Sequence, residues 1–111
     1  MSAAENPSLR IITTAIGPSP VVRLTGDLDL ATAGLLRGTL RELLAGERPS
    51  RNLTLDLAGL DFLDVTGLDV LLDTQRIIAA GGGGLTLRSP RPMVVRMLRL
   101  LKLDGVVAVE S

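Results

Sequence analysis

The sequence contains no cysteine, histidine, tryptophan or tyrosine, and its single aromatic residue is Phe62. Without cysteine and histidine, the chain has no thiol nucleophile, no disulfide, no imidazole base and none of the usual zinc or haem ligands. Any catalysis would have to rest on carboxylates, hydroxyls and arginine. These absences favour a binding protein over an enzyme, and they predict neither a metal nor a cofactor.

The chain also lacks an excess of either charge. Twelve basic and twelve acidic residues give a formal net charge of zero over 111 residues, so no overall field would attract nucleic acid or an anionic membrane. No apolar run approaches the roughly 20 residues that span a bilayer. Residues 1–7 do not have the charged-then-apolar layout of a secretory signal. We therefore expect a cytoplasmic domain with no nucleic-acid partner and no direct membrane insertion.

Apolar residues make up 46% of the chain, but aromatic residues only 1%. A chain of this length is large enough for one core, which must be built from Leu, Val, Ile and Ala. We predict a flexible lead over residues 1–7, followed by a single domain over residues 8–111.

The apolar pattern predicts an alternation of strands and helices. Strand-like alternation occurs in residues 8–15, 21–25, 52–57, 85–88 and 106–109. Helical spacing occurs in residues 30–45, 68–80 and 92–101. Turns are predicted at 17–20 and 46–50 from their proline and glycine content. The predicted fold is α/β, a mixed sheet of about five strands with helices packed on it in the order β-β-α-β-α-β-α-β, its later strands parallel.

Small polar residues lie between the strand over residues 52–57 and the helix that follows it. A helix amino terminus offers free N–H groups and a partial positive charge. Thr66 and Asp69 resemble a capping box with Asp in place of Glu, which predicts Thr66 as the N-cap. Asp29 is predicted to cap the helix over residues 30–45, which follows it. Asp64 and Asp69 could form an acid/base pair or a magnesium site, but helix-terminal carboxylates, stabilised by about 0.3–1 kcal/mol, are the favoured interpretation.

Two other motifs predict less. Glycines at 81–84 suggest a phosphate-binding loop, but no Lys-Ser/Thr pair follows them, and they close a helix instead of opening one. The arginines at positions 88, 91, 96 and 99 form a basic face whose usual interpretation is a solvated surface.

Three segments together resemble the STAS domain family, specifically its stand-alone anti-sigma factor antagonists. Residues 22–29, V-R-L-T-G-D-L-D, are similar to the strand end R-L-x-G-E/D-L-D of that family. Residues 55–64, L-D-L-A-G-L-D-F-L-D, resemble its central strand and loop, and residues 67–71, G-L-D-V-L, resemble the helix start that follows.

The resemblance implies a protein that binds an anti-sigma factor of the serine kinase type and so frees a sigma factor. In the family, the kinase reverses binding by phosphorylating a serine directly after the aspartate of the central loop. Here that position is Val65, which has no hydroxyl, and Thr66 is the possible substitute acceptor. By position, the implied partner-binding residues are Asp27, Asp29, Asp64, Val65, Thr66, Gly67 and Asp69. The alternative is a STAS subunit of a lipid-transport ABC complex or another non-phosphorylated STAS scaffold, and the oligomeric state is left open between monomer and weak dimer.

Overall fold

The structure, a computed structural model, describes residues 2–6, 8–14, 19–45 and 52–111. Within these ranges the chain forms six strands and three helices. The strands are Ser2–Asn6 (β1), Leu9–Thr14 (β2), Val21–Leu28 (β3), Asn52–Leu63 (β4), Gly84–Arg88 (β5) and Ala108–Glu110 (β6). The helices are Ala33–Leu44 (α1), Val65–Ala80 (α2) and Pro92–Leu100 (α3).

The strands form one mixed sheet in the order β1-β2-β3-β4-β5-β6. The pairs β1–β2 and β2–β3 are antiparallel, whereas β3–β4, β4–β5 and β5–β6 are parallel. Each parallel pair is joined by one helix, so the second half of the chain consists of successive βαβ units. The predicted α/β class and the parallel arrangement of the later strands are confirmed.

The core lies on one face of this sheet. Alternate residues of the strands, such as Leu24 in β3 and Leu55 in β4, are fully buried, and the helices contribute the opposing side chains. Residues between them point the other way, and the Arg23 side chain is 61% exposed. Every buried hydrophobic residue in the described part is Leu, Ile, Val or Ala, as the composition predicts. The domain is therefore two layers, one of strands and one of helices.

The predicted flexible lead over residues 1–7 is wrong for most of its length. Residues Ser2–Asn6 form β1, which pairs antiparallel with β2. The sheet therefore contains the five predicted strands and β1 in addition. A short segment of small and polar residues carries little side-chain signal for a strand, because backbone hydrogen bonds to a distant strand stabilise it.

Strand β4 is twice as long as predicted, because two register shifts disturb its alternation. Against β3, one additional residue of β4 lies between the pairs Arg23–Asp56 and Thr25–Gly59, and another precedes the pair Asp27–Phe62. Each shift is a bulge that turns the following side chains over. The buried positions of β4 consequently continue with Leu57, Leu60 and Leu63 at intervals of three.

The remaining boundaries differ from the predictions by a few residues, and β6 lies at the sheet edge as expected. The predicted turn at 46–50, and the first half of the turn at 17–20, lie outside the described residues. Among the helices that are described, none is long and apolar enough to cross a membrane.

Candidate functional site

The site residues converge where the parallel strands β3 and β4 end. Leu28 pairs with Leu63 at the last position of both strands. Helix α2 begins two residues after β4, and α1 begins after a short turn that follows β3. The carboxyl ends of parallel strands, where helices begin, are the usual location of binding sites in α/β domains.

Asp64 joins these two strand ends through both carboxylate oxygens. Its Oδ1 accepts a hydrogen bond from the Gly67 N–H at 2.9 Å, and its Oδ2 accepts one from the Leu30 N–H at 3.2 Å. Its own N–H donates to the Leu28 carbonyl at 3.2 Å. The turn after β3 and the start of α2 therefore lie side by side.

The N-cap of α2 is Asp64, so the prediction of Thr66 as the cap is wrong. Asp64 has extended backbone angles, φ −106° and ψ −176°, which turn its carboxylate back toward the free N–H groups of the first turn. Thr66 lies inside that turn and is partly buried. A capping box between Thr66 and Asp69 would require the helix to begin later than it does.

The turn between β3 and α1 is held by Thr32, a residue that the sequence motifs did not predict. Its hydroxyl is fully buried, accepts a hydrogen bond from the Asp29 N–H at 2.9 Å and donates to the Asp27 carbonyl at 2.8 Å. Asp29 accepts from the Ala31 N–H at 3.0 Å. Asp29 thus stabilises the turn, whereas the N-cap position itself is Thr32. The spacing Asp-x-x-Thr, typical of local side-chain-to-backbone turns, was the available signal.

Gly67 permits the close approach of α2 to the ends of β3 and β4. A Cβ atom at this position would lie 2.6 Å from the Leu28 carbonyl oxygen and 2.8 Å from a Leu63 methyl carbon, well inside van der Waals contact. Gly67 is buried. The resemblance assigns it to partner binding, but in the structure it positions the helix from below the surface.

Around this framework, apolar side chains face the solvent. Leu30 is 77% exposed, Val65 71% and Phe62 47%. Carboxylates border them, since Asp29 lies in the same turn as Leu30, and Asp27 pairs with Phe62 across the two strands. We call this surface the acidic apolar patch; it consists of Asp27, Asp29, Leu30, Phe62, Val65 and Asp69. Leu30 and Phe62 were missed because neither follows the apolar periodicity: Leu30 lies in the turn after β3, and Phe62 lies in β4 beyond its register shifts.

Arg37 of α1 forms ion pairs with two carboxylates of α2. Its guanidinium lies 2.8 Å from a carboxylate oxygen of Asp73 and 3.8 Å from one of Asp69. The hydrogen bond and charge of Arg37, with a further contribution from Arg76, hold the pKa of Asp73 below its usual range. Asp73 is therefore committed to this ion pair at neutral pH. Asp69 has only the longer contact and is 61% exposed, so its carboxylate remains accessible to a partner.

A shallow cleft of about 430 Å³ adjoins the patch. It runs between the start of α2 and the turn that follows α3, with Val65 and Leu101 among its walls. Leu101 is 50% exposed. The cleft offers an apolar recess beside Val65 for a side chain of a binding partner.

The exposed side chains of the site are apolar groups and carboxylates. Both oxygens of Asp64 accept hydrogen bonds from backbone N–H groups of the chain itself. The described residues contain no group of three or more acidic, histidine or cysteine side chains arranged to hold a metal ion. Exposed leucine, phenylalanine and valine beside carboxylates instead suit association with another protein.

The fold and the site define a STAS domain. The sequence model of the family described as "Mlab, STAS domain" matches residues 13–109, and the chain belongs to this family, as its motifs predict. It is also similar to an anti-sigma F factor antagonist of Paenibacillus polymyxa, with 30% identity over 89 residues that cover 80% of this chain and 75% of that protein.

Solved structures agree with this assignment. An anti-sigma factor antagonist from Mycobacterium paratuberculosis is 26% identical and superimposes with a TM-score of 0.78 over 96% of this chain and 90% of its own. The Bacillus cell fate determinant SpoIIAA in its phosphorylated form is 19% identical, with a TM-score of 0.72 and 91% of each chain covered. The second likeness shows a shared fold.

Proposed function

We propose that this chain is an anti-sigma factor antagonist, which binds an anti-sigma factor of the serine kinase type and thereby releases a sigma factor. The relative from Paenibacillus polymyxa that carries this name supports the proposal. The observation that carries it is the start of α2 directly after Asp64, where Val65 is 71% exposed. This is the segment that the family resemblance assigns to the anti-sigma factor. The proposed activity is binding, without catalysis by this chain.

The acidic apolar patch suggests the chemistry of the partner surface. Leu30, Phe62 and Val65 would lie at the centre of the contact, where removal of apolar area from water favours association. Asp27, Asp29 and Asp69 would face basic residues at its rim, which raise the association rate and select the partner. An anti-sigma factor that binds here needs an apolar centre surrounded by arginine or lysine.

Val65 occupies the position at which a phosphate would act as a switch. A phosphate at the start of α2 would be accommodated by free N–H groups. It would also add about −1.5 to −2 charge next to the carboxylates and so repel a partner selected by acidic residues. Because valine has no hydroxyl, the partner cannot reverse its own binding at this position. We therefore propose an antagonist that stays active in the presence of the kinase.

The test uses the wild type, Val65→Ser, Val65→Ala and Thr66→Ala with the cognate anti-sigma factor and ATP. Added phosphate is measured by intact mass, and affinity by titration before and after incubation. We expect the wild type to bind and remain unmodified, whereas Val65→Ser gains one phosphate and then loses affinity. Val65→Ala controls for loss of the apolar side chain without a new hydroxyl.

Phosphate on the wild type that disappears in Thr66→Ala would show that the switch lies one residue later. The constitutive antagonist would then be rejected. Failure of the wild type to bind any anti-sigma factor from its own cell would reject the proposed function itself.

A second candidate is a STAS subunit of a lipid-transport ABC complex. The non-phosphorylatable Val65 favours it, because a permanent subunit interface needs no switch and gains from an exposed apolar residue at its centre. Co-purification of an ABC ATPase with the tagged protein from its native cell, in a complex lost in Val65→Arg, would support this candidate.

A further inference from the structure

The outer side of α3 forms a second surface, which shares no residue with the acidic apolar patch. The inner side of the helix buries Val94 and Leu98 in the core. On the outer side lies a groove of about 640 Å³. It is lined by Pro90, Pro92, Val95, Arg96, Arg99 and Leu100. The helical members are three and four residues apart, so they form one continuous stripe; we call it the arginine groove.

The positive charge of this surface is not neutralised. Residues 88–102 include five basic residues and no carboxylate. Two of the five are neutralised near the strand ends, in the pairs Arg88–Glu110 at 3.0 Å and Arg91–Asp61 at 2.9 Å. Within residues 88–102, the exposed cations with no ion pair among the described residues are Arg96, Arg99 and Lys102. A chain with zero net charge therefore presents a local positive surface here.

The arginine groove is also apolar between its charges. Leu100 is 75% exposed, which is unusual for a leucine on a helix that already has a buried face. Together with Val95 and the two prolines it forms an apolar floor between the side chains of Arg96 and Arg99. A solvated basic helix face, the interpretation favoured by sequence alone, does not account for this floor.

The groove between α1 and α2 provides a contrast within the same molecule. It has a similar volume, about 660 Å³, and it also combines arginines with aliphatic side chains. There, however, Arg37 and Arg76 both pair with Asp73 at 2.8 Å. Arg41 is the one arginine of that groove with no ion pair among the described residues, whereas both arginines that line the arginine groove lack one.

We propose that the arginine groove binds an acidic amphipathic segment of a partner protein. An apolar side chain of that segment would enter the groove between Val95 and Leu100. Flanking Asp or Glu residues would meet the guanidinium groups of Arg96 and Arg99, whose planar donors match a carboxylate. An amphipathic helix in an apolar groove is a common mode of peptide recognition. The concave shape favours an inserted side chain over a bilayer, whose surface is flat.

The probe is a fluorescent helical peptide with a leucine stripe flanked by glutamates, titrated against the full chain at low and physiological salt. A peptide with lysine in place of glutamate controls for charge. The variant Arg96→Glu combined with Arg99→Glu is compared with Arg41→Glu combined with Arg76→Glu, which reverses two charges in the other groove. Thermal melting confirms that both variants fold.

We expect the glutamate peptide to bind and the lysine peptide not to bind. Reversal of Arg96 and Arg99 should weaken binding by about tenfold or more, and the control reversal by less than about twofold. The reason is that a charge in direct contact with the peptide affects its affinity far more than a charge in the other groove. Equal weakening by both variants, or no binding of the glutamate peptide, would overturn the proposal. It would also be overturned if the groove residues instead mediated only self-association, seen by sedimentation, or only binding to phosphatidylglycerol vesicles. None of these outcomes affects the proposal that the chain binds an anti-sigma factor, since that proposal rests on the residues of the acidic apolar patch.

Discussion

At the scale of single residues, the main role of Asp64 is to hold the backbone segments of the site in place, and its side chain contributes less to the exposed contact surface. One carboxylate oxygen caps α2 and the other holds the turn before α1 through the Leu30 N–H. Its side chain is therefore largely occupied within the molecule. The residue best placed to touch a partner is its neighbour Val65, which is 71% exposed.

We expect Asp64→Ala to lower the free energy of unfolding by about 0.5–2 kcal/mol, the usual cost of removing an N-cap. Asp64→Asn should cost less, because an amide oxygen can still accept from Gly67. Asp69→Ala is the control, and as a surface change it should stay within about 0.5 kcal/mol. Urea unfolding monitored by circular dichroism measures all three. An equal midpoint for Asp64→Ala and Asp69→Ala would show that the cap contributes nothing.

The sequence predicted the position of this site better than the roles of its residues. A strand followed by small polar residues and a helical pattern was sufficient to locate the start of α2. The choice between Asp64 and Thr66 as its cap depends on the backbone angles at Asp64, which a linear pattern does not contain. Thr32 was missed for a similar reason. Its hydroxyl stabilises the turn only because folding buries it beside Asp29, and the sequence does not show that burial.

At the scale of elements, α2 approaches the end of β3 so closely that a glycine is required between them. The hypothetical Cβ of Gly67 would clash with both backbone and side-chain atoms of Leu28, at 2.6 and 2.7 Å. Backbone cannot move aside as a flexible side chain can. The helix start, and Val65 with it, would have to shift outward to accept any side chain.

We predict that Gly67→Ala destabilises the fold by about 1–3 kcal/mol, the usual range for overpacking. The matched control is Gly38→Ala in α1, where an added Cβ has no neighbour within 4 Å. That change should stabilise the protein by about 0.4–1 kcal/mol, because alanine restricts the unfolded chain without strain in the helix. Both values come from denaturant unfolding. Stabilisation by Gly67→Ala would contradict the close packing described here.

Elements with a strong local pattern were predicted well, and those that depend on distant partners were not. The three helices were predicted from the helical spacing of their apolar residues. Strand β1 was not predicted, because its pairing with β2 is made by the backbone. The end of β4 was missed because two bulges change its buried positions from alternate residues to every third.

At the scale of the whole molecule, a net charge of zero conceals an uneven distribution. Carboxylates border exposed apolar residues where β3 and β4 end, whereas α3 carries unpaired cations beside its own apolar groove. The composition gives only the net charge of the whole chain, in which the charges of these two surfaces cancel. It therefore predicted only that the chain as a whole does not attract nucleic acid or a membrane. The folded chain instead has two surfaces of opposite charge, each suited to a partner of complementary charge.

The acidic apolar patch can be tested through Phe62, the only aromatic residue of the chain. Phe62→Ala should reduce affinity for the anti-sigma factor by about 1 kcal/mol or more, roughly fivefold, since aromatic residues often dominate interfaces. Stability should change little, because the side chain is already 47% exposed. Ile77→Ala is the control, an apolar residue 58% exposed near the other end of α2, and it should leave affinity unchanged. Isothermal titration beside thermal melts separates the two effects. Unchanged affinity in Phe62→Ala, together with a loss in Ile77→Ala, would place the interface on the helix layer away from the strand ends.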